Sequence, residues 1–170
     1  MTNTQVALIR AATDSDAVRV AEIYDPYVRE TTITFEETPV SVDEMGKRIA
    51  HVTGLDHPWL VMEVDGIVVG YAYASTWRSR PAYRYALEST IYMDRHQSGK
   101  GWGTALYTAL MEELEHKGMH AVIGSIALPN PGSVRLHENL GFVKVAHFPE
   151  VGYKFDEWID VGFWQKTFNS

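Results

Sequence analysis

Short apolar runs alternate along this chain with amphipathic stretches of helical period. Val6 to Ile9 is apolar throughout, and beyond it Thr13 stands three positions before Asp16, a capping-box start for the series Ala17, Val20, Ala21, Tyr24 and Val28. A strand and then a helix are predicted, with Pro26 ending or distorting the helix near its last turn. Ser41 and Glu44 form a second capping box ahead of Met45, Ile49 and Val52, and Gly54 supplies the stop. Trp59 to Val64 and Ile67 to Trp77 are β-rich runs around Asp65-Gly66, a strong short-range hairpin signal. Arg84 to Met93 predicts another strand. Thr104 to Lys117 carries Leu106, Leu110, Met111 and Leu114 at helical spacing and stops at Gly118. Ala121 to Leu128 returns to strand. Pro131 opens a helix with Val134, Leu136 and Leu140, Gly141 closes it, and Phe142 to Ala146 and Val161 to Phe168 are the last strands.

The resulting order, β-α-α-β-β-β-α-β-α-β-β, predicts an α/β or α+β layered fold with one mixed, mostly antiparallel central sheet flanked by helices. Repeated βαβ units are too few for a doubly wound dinucleotide-binding sheet. The 170 residues suit one domain over 1–170, with its core over about 6–168 and about two-thirds of its unfolded surface buried.

Composition narrows the chemistry. A hydrophobic fraction of 45% with 22% charged residues reads as globular. The formal net charge of -7 argues against nucleic acid or an anionic membrane as partner, since both require a basic surface. Zero cysteines exclude disulfides, a thiol nucleophile and thiolate metal sites. The pair His116 and His120 spans Gly118 and offers only two donors, so no metal is expected. With no basic and apolar leader and no apolar stretch of membrane-spanning length, a cytoplasmic protein without a membrane partner is expected.

Between the strand ending at Met93 and the helix expected from Thr104 lies Ser98-Gly99-Lys100-Gly101-Trp102-Gly103. Glycine permits positive φ and close ligand approach, and the first turn of a helix presents unpaired N–H groups to an anion. Phosphate cradle and plain tight turn are both open readings. The spacing matches neither a P-loop nor the Gly-x-Gly-x-x-Gly dinucleotide fingerprint.

This loop resembles the cofactor loop of the GNAT N-acetyltransferases, Gln/Arg-x-x-Gly-x-Gly/Ala after a strand, with Ser98 at the place of the usual Gln or Arg. The segment Asn130 to Phe142, with Ser133, His137 and Gly141 between, resembles that family's Asn-x-x-Ser/Ala-x-x-x-Tyr-x-x-x-Gly-Phe. Pro58-Trp-Leu-Val, Tyr71-Ala-Tyr-Ala, Glu88-Ser-Thr-Ile-Tyr92, Arg95-His-Gln97, Ser133 to Glu138 and Asp160-Val-Gly-Phe-Trp-Gln165 are similar to the phosphinothricin and methionine sulfoximine acetyltransferases, a likeness running from about Ile9 to Phe168.

The resemblance implies acetyl-CoA as co-substrate and a small amino acid analogue as acceptor: phosphinothricin, methionine sulfoximine or methionine sulfone. It also implies direct attack by the amine, since no cysteine is present to carry the acetyl group. Backbone amides of Ile91, Tyr92 and Met93 then meet the acetyl and pantetheine arm, those of Gly99, Lys100, Gly101, Trp102, Gly103 and Thr104 meet the pyrophosphate, and Asn130 adds hydrogen bonds. Glu88 is the candidate base, set among apolar and aromatic strand positions that raise carboxylate basicity, with an exposed ion-pair partner as the other reading. His137 stands where the wider family has Tyr, and both an acid and a structural role are open. Arg78 and Arg80, with Ser79 between them, carry guanidinium forks suited to a carboxylate or phosphinate. Ser89, Thr90 and Phe35 complete the acceptor side, although Phe35 also suits a core. A homodimer is implied, with Trp158 to Phe168 or aromatic surface near the acceptor as interface. Another amine acceptor (ordinary amino acid, polyamine or peptide N-terminus) and a non-catalytic acyl-CoA-binding module are the competing readings.

Overall fold

The computed structural model describes residues 5–168, so residues 1–4 and 169–170 of the domain expected over 1–170 lie outside the described residues. The chain falls into two compact units. One comprises residues up to Tyr24, Val40–Ala74 and Ile91–Glu113, and the other Asp25–Pro39, Ser75–Thr90 and Leu114 onward.

In the first unit, strands β1 (Ala7–Ala11), β2 (Trp59–Val64) and β3 (Ile67–Thr76) form an antiparallel ladder, continued by the end of β4 (Ala86–Met93). Asp65 and Gly66 both have positive φ, 50° and 81°, the conformation of a type I′ hairpin turn, as their sequence predicts. Helix α1 (Ala17–Glu30) is entered through a 3-10 turn in which Asp16 accepts the Thr13 N–H at 2.7 Å. Asp16 also grips the Arg10 guanidinium at 2.8 and 2.9 Å, which holds its carboxyl below the ordinary range although burial opposes this. In α2 (Val42–Gly54), Ser41 Oγ caps the Glu44 N–H at 3.1 Å and Met45, Ile49 and Val52 are buried, as the spacing predicts. Tyr71, Tyr107, Leu106 and Leu110, the last three on α3 (Trp102–His116), are sealed from solvent. Each such side chain contributes roughly 1.5–3 kcal/mol through burial.

In the second unit β5 (Ala121–Leu128) lies between the start of β4, to which it is parallel, and β7 (Glu157–Thr167), to which it is antiparallel. Strand β6 (Val143–Lys154) pairs with β7 at the edge, and α4 (Pro131–Asn139) links β5 to β6. Because β4 takes part in both ladders, the strand order reads β1-β2-β3-β4-β5-β7-β6. Leu87, Val122, Ile126, Phe142, Trp164 and Phe168 are buried here.

Four expectations need correction. Pro26 does not end α1, which continues to Glu30 with Arg29 paired to Asp25 at 2.8 Å across the proline. Proline removes one N–H but its φ is helical, so a last turn with an ion pair of its own persists. Helix α3 starts at Trp102 rather than Thr104, and Gly101 supplies the first carbonyl, to Ala105 N at 3.1 Å. The last two strands are far longer than Phe142 to Ala146 and Val161 to Phe168, meeting at a turn of Phe155 and Asp156 with φ of 54° and 59°. Finally, of the segment Trp158 to Phe168 offered as interface, Trp158 is exposed but Ile159, Val161, Trp164 and Phe168 are buried in the chain's own core.

Candidate active site

The glycine loop and the strand end before it belong to the first unit. Asp94 N donates to the Val69 carbonyl at 2.7 Å, and the Asp94 carboxylate accepts from His96 N at 2.9 Å and pairs with the Arg19 guanidinium of α1. Burial pushes the Asp94 carboxyl up, but the His96 N–H and Arg19 more than offset this and hold it below the ordinary range. Side chains here turn into the fold. Tyr92 meets Tyr24 edge to face at 5.0 Å, and Met93 packs over Gly70, where a Cβ would stand 2.3 Å from its Sδ. The parallel ladder of β4 with β5 stops at Ser89 opposite Gly124, so the following amides lie beyond that ladder.

After a 3-10 turn over Arg95–Gln97, Gly99 and Gly101 adopt φ of 78° and 80°, and no heavy atom lies within 4 Å of where either Cβ would be. The first-turn amides of Trp102, Gly103 and Thr104 have no intrahelical acceptor. Lys100 Nζ is near the same turn, bonded to Gln97 Oε1 at 2.9 Å. Trp102 Nε1 is buried without a hydrogen-bond partner among the described residues. Open space in front of convergent N–H donors at a helix N-terminus fits a pyrophosphate. Ser98 does not enter this set: its Oγ bonds the Arg95 carbonyl at 3.2 Å.

The other expected residues lie in the second unit. Glu88 is half-buried in β4, opposite Ile123, and its carboxylate has no hydrogen-bond or ion-pair partner among the described residues. Burial alone pushes its pKa up. Ser89 is buried and Thr90 half-buried. Arg78, Ser79 and Arg80 are exposed just after β3, with the Arg78 guanidinium 5.2 Å over the Trp77 ring and neither arginine paired to a carboxylate among the described residues. Phe35 is 41% exposed and rests on the bare backbone of Gly152.

Asn130 caps α4, its Oδ1 accepting Ser133 N–H at 3.2 Å. That bond occupies the carbonyl end of the side chain expected to contact a cofactor. His137 is 4% exposed, with Nδ1 2.7 Å from the Ser133 carbonyl and the ring edge-on to Phe142 at 5.0 Å. A carbonyl only accepts, so Nδ1 carries the proton. Burial pushes the imidazole pKa down against this bond, favouring the neutral form.

A cavity of about 580 Å³ opens at the end of β5, lined by Leu128, Asn130, Val134, Trp158 and Asp160 among others. Among the described residues, no group of three or more His, Asp or Glu side chains is placed to hold a metal ion, and no helix is long and apolar enough to cross a membrane.

Sequence reasoning missed the residues that fix the others. Arg19 and Asp94 anchor the loop from 75 positions apart, which no local pattern signals. Gly124, inside an apolar strand run, was a readable sign of close approach, and His137 is what approaches it.

The chain matches the family model for the acetyltransferase (GNAT) domain over residues 9–162. It is 40% identical to a phosphinothricin N-acetyltransferase of Streptomyces viridochromogenes, covering 94% of this chain and 87% of that protein. It is 36% identical to an L-methionine sulfoximine/L-methionine sulfone acetyltransferase of Salmonella typhimurium, covering 92% of each. The crystal structure of a GNAT superfamily phosphinothricin acetyltransferase from Sinorhizobium meliloti in complex with acetyl-CoA superposes with a TM-score of 0.92 at 37% identity, covering 95% of this chain and 88% of that one. The loop, the strand order and these matches agree, and the chain belongs to the GNAT acetyltransferase domain family.

Proposed function

We propose that this protein is an acetyl-CoA-dependent N-acetyltransferase acting on the α-amine of a small amino acid analogue, with phosphinothricin, methionine sulfoximine or methionine sulfone as acceptor. The observation that carries the reading is Glu88, a half-buried carboxylate with no partner among the described residues, on the strand that leads into the glycine loop. The relatives named above supply the acceptor class.

Bound acetyl-CoA supplies the activated acetyl group. The amides of Gly99 to Thr104 hold its pyrophosphate, those of Ile91 to Met93 its acetyl and pantetheine arm, and Asn130, through the amide nitrogen left by its cap, adds a donor. An ammonium cannot attack until it loses a proton, and Glu88 takes that proton, directly or through one water. A carboxylate with raised pKa is a better base for it than a solvated one. Arg78 and Arg80 grip the acceptor's acidic group, Ser79, Ser89 and Thr90 hydrogen-bond it, and Phe35 packs on its side chain. The neutral His137, with its Nδ1 proton on Ser133, supports a positioning role over that of an acid.

A cytoplasmic homodimer belongs to the same proposal. Phe148, Val151 and Tyr153 on β6, Phe155 in the turn and Trp158 on β7, each about half exposed or more, offer apolar surface that a second copy would cover. The test is thiol release from acetyl-CoA over a panel of amines. Turnover concentrated on the three analogues supports the reading; turnover confined to polyamines or peptides, or tight cofactor binding with no turnover, overturns it.

A further inference from the structure

Phe35 lies in a stretch, residues 31–39, with neither helix nor strand. Local side-chain bonds fold it: Thr31 Oγ donates to the Tyr27 carbonyl at 2.7 Å and accepts Ile33 N–H at 3.2 Å, and Thr34 Oγ accepts Glu36 N–H at 3.3 Å. What ties it to the sheet is β6. A Cβ on Gly152 would stand 2.3 Å from Phe35 Cζ and 2.4 Å from Cε2, so the ring occupies the space a side chain would take.

Two residues on, in the buried alternation of the same strand, Lys154 is 1% exposed. Its Nζ donates to the carbonyls of Val28 and Thr34, both at 2.8 Å. No carboxylate pairs with it among the described residues, and Glu37 and Glu36 act on it only at longer range. A buried ammonium held by two carbonyls, with the Phe155 ring centroid 5.0 Å away and no carboxylate in contact, is a costly substitute for an apolar side chain, so its presence calls for an account beyond packing. Val28 is in the last turn of α1 and Thr34 immediately precedes Phe35. One cation therefore joins the helix end to the residue before the ring.

We propose that Lys154 and Gly152 are positioning residues for acceptor selection: Lys154 clamps the 28–34 segment, Gly152 seats the Phe35 ring, and together they set which acceptor side chains are accepted. The proposal rests on the acceptor-side role given to Phe35 above.

The test measures kcat/KM for methionine sulfone and for alanine in wild type, F35A, G152A and K154M, with amide hydrogen exchange followed over residues 28–37. The ratio of the two acceptors is expected to shift about tenfold in G152A, K154M and F35A alike, with the acetyl-CoA KM unchanged. Combining G152A with F35A is expected to add nothing further. Exchange over 28–37 should speed up in K154M and stay as in wild type elsewhere. If K154M yields no folded protein, G152A decides, because its clash is with the far end of one half-exposed ring. An unchanged ratio in G152A, with wild type turning over both acceptors, overturns the proposal, as does unchanged exchange in a folded K154M. Absence of turnover by wild type overturns the acetyl-transfer reading instead, and the exchange rates then decide the clamp alone.

Discussion

His137 is seated on Gly124: a Cβ at position 124 would stand 2.5 Å from its Nε2 and 2.6 Å from its Cδ2. The imidazole is buried, so it has little room to withdraw. G124A is expected to cost about 1–3 kcal/mol, the range for overpacking a filled site. Urea unfolding measures it, and in an H137A background the cost of G124A should largely vanish. Equal costs in both backgrounds would separate the two residues.

Glu88 carries a prediction with two opposite signs. As a base it works ionised, so kcat/KM should rise with pH through a pKa above the ordinary 4.5, and E88Q should remove that limb and lower kcat by about 10²–10⁴-fold. For stability, a folded pKa above the unfolded one means a contribution present below pH 4.5 and lost as pH rises through the raised value. E88Q should therefore show a flatter stability profile across that window. An unchanged acid limb in its pH–rate profile removes Glu88 as the base.

Arg78 and Arg80 are exposed and pair with no carboxylate among the described residues. R78A and R80A should leave urea stability within about 0.5 kcal/mol of wild type. Each should raise the acceptor KM by about tenfold or more, the loss of a charge-assisted hydrogen bond, with the acetyl-CoA KM unmoved. Unchanged acceptor KM in both variants argues that these guanidinium groups face only solvent.

Gly99 and Gly101 have room for a methyl group but adopt φ that alanine resists. G99A and G101A should each cost about 1 kcal/mol of stability and raise the acetyl-CoA KM more than the acceptor KM. Calorimetric titration with CoA checks the binding directly. CoA affinity equal to wild type in both variants would show that the loop conformation is not what holds the cofactor.

The order of elements was legible because most boundaries are local. Asp65-Gly66 announces its turn, Ser41 caps its own helix, and Gly141 has φ of 88° where a helix must stop. The hairpin of β6 and β7 was illegible for the opposite reason. Its turn residues, Phe155 and Asp156, hold positive φ without glycine, and Glu150 at φ 49°, after Pro149, interrupts the alternation within β6. The site divides in the same way. Residues proposed to bear chemistry, such as Glu88 and the glycines of the loop, sit in recognisable local frames. Residues that hold them, such as Arg19 for Asp94 or Lys154 for Thr34, act across 75 and 120 positions, and periodicity has no reach over such spans.

Strand β4 changes allegiance between Thr90 and Ile91, belonging to one compact unit before that bond and to the other after it. Apart from Asn130, every residue assigned to the cofactor falls on one side of this division and every residue assigned to the acceptor on the other. The residues proposed for donor and for acceptor thus lie, Asn130 apart, in different, interleaved segments of the sequence. A mutant library that varies 31–39 and 77–90 together with β6 therefore changes the residues proposed for the acceptor and leaves 91–104, proposed for the cofactor, untouched.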